Sequence, residues 1–239
     1  MSIFAIGDLH LSFDETVDKP MDIFGEEWED HEMRIKENWL ENVGEHDTVI
    51  IAGDVSWGLK LQQAMADLEW IDALPGRKLI FKGNHDLWWN GINRMNGLFD
   101  SIRFVQNTAV FCEGWYICGT RGWVCPGDSA YSQEDEKIYR RETLRLQMSI
   151  DDATAQERSI DCGAGNPRMI GVLHYPPTND KLQQSDFTRI FASSGVSKVV
   201  YGHLHGKDNY KRGLQGMLNG VQYTLVSADS TGCRLVKLI

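Results

Sequence analysis

Leu79-Ile80-Phe81-Lys82-Gly83-Asn84-His85-Asp86 runs from a short apolar stretch through a glycine into three polar residues able to do chemistry. An apolar run this short, closed by a turn, reads as a strand buried on both faces. The arrangement recurs along the chain. Ile3-Phe4-Ala5-Ile6-Gly7 leads into Asp8 and His10, and Val49-Ile50-Ile51-Ala52-Gly53 into Asp54. Met169-Ile170-Gly171-Val172-Leu173 leads into His174, and Val199-Val200-Tyr201-Gly202 into His203 and His205. Between these runs lie helical spacings. Met33, Ile35, Trp39, Leu40 and Val43 suit one helix; Leu61, Met65, Leu68 and Ile71 suit a second that ends before Pro75-Gly76. From about Gln133 to Arg158 the chain is charge-rich, with Ile138, Leu146 and Ile150 toward one face, as in a long helix backed by solvent. Strands alternating with helices imply an α/β fold. In such sheets ligands gather beyond the carboxyl ends of the strands, so the five polar clusters are expected to converge. The segments near 102–120 and 221–239 read as strands of a second sheet, and 206–220 as a loop or hairpin.

The composition is that of a folded protein. Of 239 residues, 42% are hydrophobic and 24% charged, enough apolar material for a sizeable core. No repeat or Pro/Gly/Ser linker divides the sequence, so one domain over 1–239 is expected. The net charge of −10 argues against long nucleic acid or an anionic membrane as partner, since both would be repelled. A small phosphorylated substrate stays compatible where local cations overrule the global field. The five cysteines, Cys112, Cys118, Cys125, Cys162 and Cys233, form no CxxC pair, which points to a reducing compartment and away from a zinc ribbon or dithiol. No apolar run reaches the length of a membrane span, and the first residues lack the basic region of a signal peptide. A soluble cytoplasmic protein is therefore expected.

Seven histidines are present, and five sit in the clusters that follow strands. His31 and His46 lie outside them and read as structural or surface groups. The ordered set Asp8-Leu9-His10, Gly53-Asp54, Gly83-Asn84-His85-Asp86, His174 and Gly202-His203-Leu204-His205 resembles the calcineurin-like metallophosphoesterases. It spans residues 7 to 205. Asp18-Lys19-Pro20-Met21 and Gly53-Asp54-Val55-Ser56-Trp57 are similar to a bacterial branch of predicted phosphohydrolases in that superfamily.

The resemblance implies a four-layer α/β/β/α sandwich of two mixed sheets with a two-metal site at the strand ends. Asp8, His10 and His205 would hold one divalent cation, and Asn84, His174 and His203 the other, with Asp54 bridging both. His85 would stay off the metals and protonate the leaving oxygen. Asp86 would stand behind it, orienting His85 or a ligand. A bridging hydroxide would attack phosphorus in line. Charge supports the assignment: two divalent cations less Asp8, Asp54 and one hydroxide leave a positive site that accepts phosphate. Mixed imidazole and carboxylate donors suit Mn, Fe or Zn better than Ca or Mg.

Other features admit two readings each. Arg121, in Gly119-Thr120-Arg121-Gly122-Trp123, can contact substrate phosphate or serve in a salt bridge. Trp57, Trp88, Trp89 and Trp123 can wall a pocket for a flat group, though core packing is the plainer expectation. The acidic stretch Asp14–Asp30 can border the site or be a solvated insertion, the latter favoured. The cysteines read as small buried hydrophobes. Tyr175-Pro176-Pro177 is expected to set a rigid turn that aims His174.

The expected activity is hydrolysis of a small phosphodiester or nucleotide-like ester. A phosphomonoesterase or protein phosphatase is the alternative, weakened by Asp86 where the protein phosphatases carry Glu and by the lack of their Asp-Arg-Gly. A scaffold that binds metal without turnover is a further alternative, weakened because every ligand position is filled.

Overall fold

A computed structural model describes residues 1–160 and 168–239; Cys162 lies outside them. The strands are β1 (Ile3–Ile6), β2 (Thr48–Ile51), β3 (Arg77–Phe81), β4 (Ile102–Val105), β5 (Val110–Cys112), β6 (Trp115–Gly119), β7 (Met169–Val172), β8 (Val196–Tyr201), β9 (Gly216–Leu218), β10 (Val221–Leu225) and β11 (Val236–Lys237). The α-helices among the described residues are α1 (His31–Asn42), α2 (Leu61–Asp72), α3 (Ile92–Met95), α4 (Gln133–Ile160), α5 (Asp186–Ser193) and α6 (Lys207–Tyr210), and two 3-10 turns, Asp22–Phe24 and Glu26–Trp28, precede α1.

The strands form two mixed sheets, ordered β11-β1-β2-β3-β4 and β5-β6-β7-β8-β10-β9. Neighbouring strands pair in parallel except at three edges, where β11, β5 and β9 are antiparallel to β1, β6 and β10. Side chains alternate across each strand, and this alternation sorts the core into three apolar layers. Phe4, Ile6, Val49 and Ile51 face Ile35 and Trp39 of α1 and Leu68 and Ile71 of α2. Ile3, Ala5, Ile50 and Leu79 face Ile117, Ile170, Val172 and Val200 between the sheets. Tyr116, Cys118, Val199 and Tyr201 pack under Leu146 and Ile150 of α4 and Phe187 and Phe191 of α5. The result is the α/β/β/α sandwich.

Some expectations need correction and others agree with the structure. β4 and β11 belong to the first sheet, not the second. On α1 the buried residues are His31, Ile35 and Trp39, spaced four apart, while Met33 and Leu40 are exposed. At 100° per residue, Met33 sits about 200° from Ile35, on the far side of the helix. The 206–220 segment holds α6 and then β9, which pairs with β10 as a hairpin. Cys112, Cys118, Cys125 and Cys233 are buried free thiols, pushed up to about 11 or 12 by burial, as inert hydrophobes should be. No helix among the described residues is long and apolar enough to cross a membrane.

Candidate metal centre

The loops that follow β1, β2, β3, β7 and β8 meet at one end of the sandwich. The first two stay zipped beyond their strands: Asp8 N–H donates to Gly53 O at 2.9 Å and His10 N–H to Asp54 O at 3.0 Å. Gly7 N–H donates to Val226 O at 2.7 Å, which ties the two sheets together there. Asp8, His10, Asp54 and His203 all have positive φ, at 57°, 47°, 51° and 74°. A left-handed residue without glycine costs roughly 1–2 kcal/mol, so four such residues in one constellation mark a geometry held in place by its surroundings. Gly83 and Gly202 permit the close approach. A Cβ at Gly83 would collide with the Asp54 carboxylate, and one at Gly202 with that of Asp8.

Two triads result. Ligand atoms of Asp8, His10 and His205 all lie within 4.8 Å of one another, and so do those of Asp54, His174 and His203. In the first, His10 Nε2 lies 3.2 Å from His205 Nε2, and His205 Nε2 lies 3.4 Å from Asp8 Oδ1. In the second, His174 Nε2 lies 3.4 Å from Asp54 Oδ2 and 3.3 Å from His203 Nδ1. Asn84 Oδ1 joins it, 2.7 Å from His174 Nε2 and 2.9 Å from His203 Nδ1. The same Asp54 Oδ2 is 3.9 Å from His10 Nε2, so it faces both triads. Its Oδ1 accepts the His85 N–H at 2.8 Å.

The donor set fits two cations. Lone pairs of imidazole and carboxylate or amide oxygen crowd toward two common points, and atoms this close repel unless a proton or a cation lies between them. With no cation bound, protons do that work. Burial opposes charge on His174 and His205, yet Asp54 and Asp8 outweigh it and raise their pKa to about 9 and about 10. His10 and His203 go the other way, lowered by burial to about 4 and about 3. Burial would raise the Asp8 and Asp54 carboxyls, but the neighbouring imidazoles hold both below the ordinary carboxylate range. The back nitrogens are fixed: His174 Nδ1 bonds Ala52 O at 3.0 Å and His205 Nδ1 bonds Asp229 Oδ1 at 3.0 Å. Each therefore presents Nε2 to the centre. Tyr175 packs its ring against His203, with centroids 4.1 Å apart.

His85 is exposed and belongs to neither triad. Its ring lies 4.4 Å from that of Trp57 and 5.8 Å from that of His10, centroid to centroid. Asp86 is not beside it on the reacting face. Its carboxylate is fully buried and accepts the backbone N–H groups of Gly83 at 2.7 Å, Val55 at 2.9 Å and Asp54 at 3.0 Å. Burial, then repulsion from Asp54, raises its pKa to about 6. Asp86 is thus a positioning residue that clasps two loops, and of His85 and a ligand as the group it orients, its hydrogen bonds go to the backbone at and beside the ligand Asp54.

A cavity of about 340 Å³ opens beside the first triad, bordered by His10, His85, His205, Trp57, Trp28 and Met21. Trp57 stacks on His10 at 4.7 Å and 20°. The Asp14–Asp30 stretch borders the centre through Met21 and Trp28, both buried, and Phe24, while most of its other residues are exposed. The four tryptophans part ways. Trp57 walls this cavity, Trp88 is buried in the core, Trp89 packs edge-on to Phe104, and Trp123 lies under the Arg121 guanidinium at 4.5 Å. Arg121 faces Glu142 at 3.7 Å across a second cavity. Asp229 and Trp28 were not legible as site residues. Asp229 falls in a stretch that reads only as strands, and Trp28 closes a short 3-10 helix, Glu26–Trp28, in an acidic stretch whose spacing gives no helical signal. His31, as expected, is structural, its Nε2 bonded to Leu9 O at 3.0 Å, and His46 is exposed.

Comparison with known proteins follows the same lines. Residues 1–207 match the family model for calcineurin-like phosphoesterase. The Gene 66 protein of Mycobacterium phage D29 is 37% identical over 81 residues, 28% of this chain and 40% of that protein. Its counterpart in Mycobacterium phage L5 is 45% identical over 58 residues, 24% of this chain and 28% of that protein. The chain thus matches well under half the length of these curated relatives. Among solved structures, TT1561 of Thermus thermophilus superposes with TM-score 0.56 at 13% identity, covering 99% of this chain and 97% of that one. Phosphopantetheinyl hydrolase from Mycobacterium tuberculosis gives 0.53 at 16%, covering 100% and 95%. The protein of unknown function AQ665 from Aquifex aeolicus gives 0.51 at 16%, covering 99% and 95%. At such identities the structural likeness bears on the fold alone. With two His/Asp triads at the strand ends and a family model matched from residue 1 to residue 207, the chain belongs to the calcineurin-like phosphoesterase family.

Proposed function

We propose that the protein is a dinuclear-metal hydrolase that cleaves a small phosphodiester, and that Asp54 joins its two metals. The observation that carries this reading is Asp54 Oδ2, placed between His174 Nε2 at 3.4 Å and His10 Nε2 at 3.9 Å. Asp8, His10 and His205 hold one cation, and Asn84, His174 and His203 the other. Mn, Fe and Zn all suit such donors. Two divalent cations, when bound, polarise phosphoryl oxygens and lower the pKa of a bound water toward neutrality.

The remaining steps fall to the chain. Asp86 clasps the backbone at Gly83, Asp54 and Val55, and so sets the distance between the bridging carboxylate and the His85 loop. His85 stands at the mouth of the apolar cavity with its ring free of the triads, where it can hand a proton to a departing oxygen. Trp57 and Trp28 give that departing group an apolar wall and exclude water around it. The apolar cavity on the His10 side and a second cavity lined by Lys82, two residues before Asn84, leave room for two arms of an ester, which favours the diester over the monoester. One structural relative bears the name phosphopantetheinyl hydrolase, in keeping with phosphate-ester chemistry on this fold.

The test strips the protein of metal, reloads Mn²⁺ and compares bis(p-nitrophenyl) phosphate with p-nitrophenyl phosphate, using Asp54→Ala as the blank. Diester turnover that disappears in the variant, with loss of both tight metals, is expected. Turnover of the monoester alone would replace this reading with a phosphatase. Metal binding without turnover of either ester, or of nucleotide diesters, would favour a scaffold.

A further inference from the structure

The second cavity is walled by positive charge. It encloses about 460 Å³ at the carboxyl ends of β3, β4 and β6, under α4, and its lining includes Lys82, Arg121, Arg141, Glu142 and Arg145. One carboxylate lies among four cations and pairs with three of them. Glu142 is buried, with Oε1 at 2.8 Å from Arg145, 3.5 Å from Arg141 and 3.7 Å from Arg121. Its Oε2 already accepts from Thr120 Oγ1 at 2.6 Å. Lys82 has no ion-pair partner among the described residues. Arg121 Nε is buried without a hydrogen-bond partner, and Trp123 beneath the guanidinium holds its plane. A purely structural ion cluster would come close to balance. Here four cations against one carboxylate leave three positive charges in a concave site, within a chain of net charge −10.

The cavity's lining is joined to the metal centre through the chain. Lys82 precedes Asn84 by two residues, so their Cα atoms are at most about 7 Å apart. Arg121 O accepts the N–H groups of His174 at 3.0 Å and Tyr175 at 2.9 Å. The charged cavity thus lies on the Asn84–His174 side, whereas the apolar one lies on the His10–His205 side. Arginine forks suit phosphate geometry, and a dianion answers the surplus charge.

We propose that this cavity binds a second phosphate dianion, carried by the substrate on the arm opposite the leaving group. The source rests on the diesterase reading above; the anion site itself does not. The same chemistry would also take free inorganic phosphate, and the experiment separates the two.

Equilibrium dialysis of Mn-loaded protein against radiolabelled inorganic phosphate should show two bound phosphates per chain. Chelation should remove one and leave the other. Arg141→Gln/Arg145→Gln should lose the chelation-resistant phosphate and keep the metal-dependent one. Both arginines are on the outer part of α4 and glutamine is a good helix former, so the variant should fold. Circular dichroism checks this, and Arg141→Gln alone, at a half-exposed position, should weaken binding partway. A single phosphate that chelation removes, or a double variant that binds as the wild type does, would overturn the site. If instead the metal reading fails, chelation changes nothing while the arginine variant still loses its phosphate.

Kinetics then identify the source. For a p-nitrophenyl diester bearing a terminal phosphate on its other arm, the double variant should raise KM about tenfold or more, as loss of charge-assisted bonds predicts. With bis(p-nitrophenyl) phosphate, kcat/KM should stay within about twofold. Equal KM for both proteins, with free phosphate altering turnover only in the wild type, would overturn the substrate assignment and make the anion an effector.

Discussion

At the scale of single residues, the centre depends on groups that do not themselves reach it. Asp229 is the clearest. Its Oδ1 lies 3.0 Å from His205 Nδ1, while its Oδ2 accepts from Gly206 N–H at 2.9 Å and Tyr210 O–H at 2.8 Å. The carboxylate keeps the proton on Nδ1, so that Nε2 offers its lone pair toward Asp8 and His10. Asp229→Asn should preserve the shape and remove the charge. The expected result is roughly 10–100-fold weaker metal binding at the Asp8 triad, as for other carboxylate partners of ligating histidines. Calorimetric titration of the stripped variant with Mn²⁺ measures it, and unchanged affinity at both sites would show that Asp229 only anchors the loop. Sequence patterns could find Asp8, His10, Asp54, Asn84, His85, His174, His203 and His205 because each follows a strand end within a few residues. They did not single out Asp229, although it follows β10 at the same four-residue distance as His205 follows β8, because 221–239 read only as strands, and they left open whether Asp86 orients His85 or a ligand. Neighbours in a tight turn point different ways, so adjacency to His85 said nothing about where the Asp86 carboxylate goes.

At the scale of elements, the strands were legible and the helix faces less so. Runs such as Ile3–Ile6 and Val49–Ile51 are apolar on both faces because each strand separates two apolar layers. The α1 surface carries apolar residues on more than its buried stripe, so Met33 and Leu40 fit the helical spacing and yet are exposed. Sheet membership of β4 and β11 was not legible either, since an apolar run carries no record of the edge it joins. What the strand ends demand can be tested at Gly83. Its φ lies outside the left-handed region, so alanine there meets only a steric cost: its Cβ would collide with the Asp54 carboxylate and backbone. Gly83→Ala should destabilise the metal-free protein by about 1–3 kcal/mol, the range for overpacking a filled site. It should also lower metal content, because the collision pushes Asp54 away from His174. Urea unfolding and metal analysis measure the two effects, and wild-type values in both would mean that the loops part without cost.

At the scale of the whole molecule, metal binding and proton binding compete for one buried cluster. Without cations, Asp8 and Asp54 are countered by protons on His174 and His205, whose pKa values stand at about 9 and about 10 against an ordinary 6.5. Those raised values stabilise the metal-free fold fully below pH 6.5, and the contribution is lost as pH climbs through 9 to 10. The lowered pKa values of His10 and His203, about 4 and about 3, act in the opposite sense. Their contribution is whole above pH 6.5 and fades as pH falls toward 4, joined by that of Asp8 and Asp54 in stronger acid. Metal-free protein should therefore be most stable near pH 6.5 and lose melting temperature on both sides. Cations reverse the alkaline limb. To ligate through Nε2, His174 and His205 must each give up a proton, while their Nδ1 bonds to Ala52 O and Asp229 stay in place. Loading at pH 7.5 should release about two protons per pair of cations from the two imidazoles, and up to about one more from a bound water. Affinity should rise with pH up to about 9–10. Titration calorimetry in buffers of different ionisation enthalpy reads the released protons as a slope, and melting curves from pH 6.5 to 9.5 read the stability. A zero slope, or metal-free and loaded curves that stay parallel over that window, would mean that the cations do not displace these protons and bind elsewhere than at the two triads.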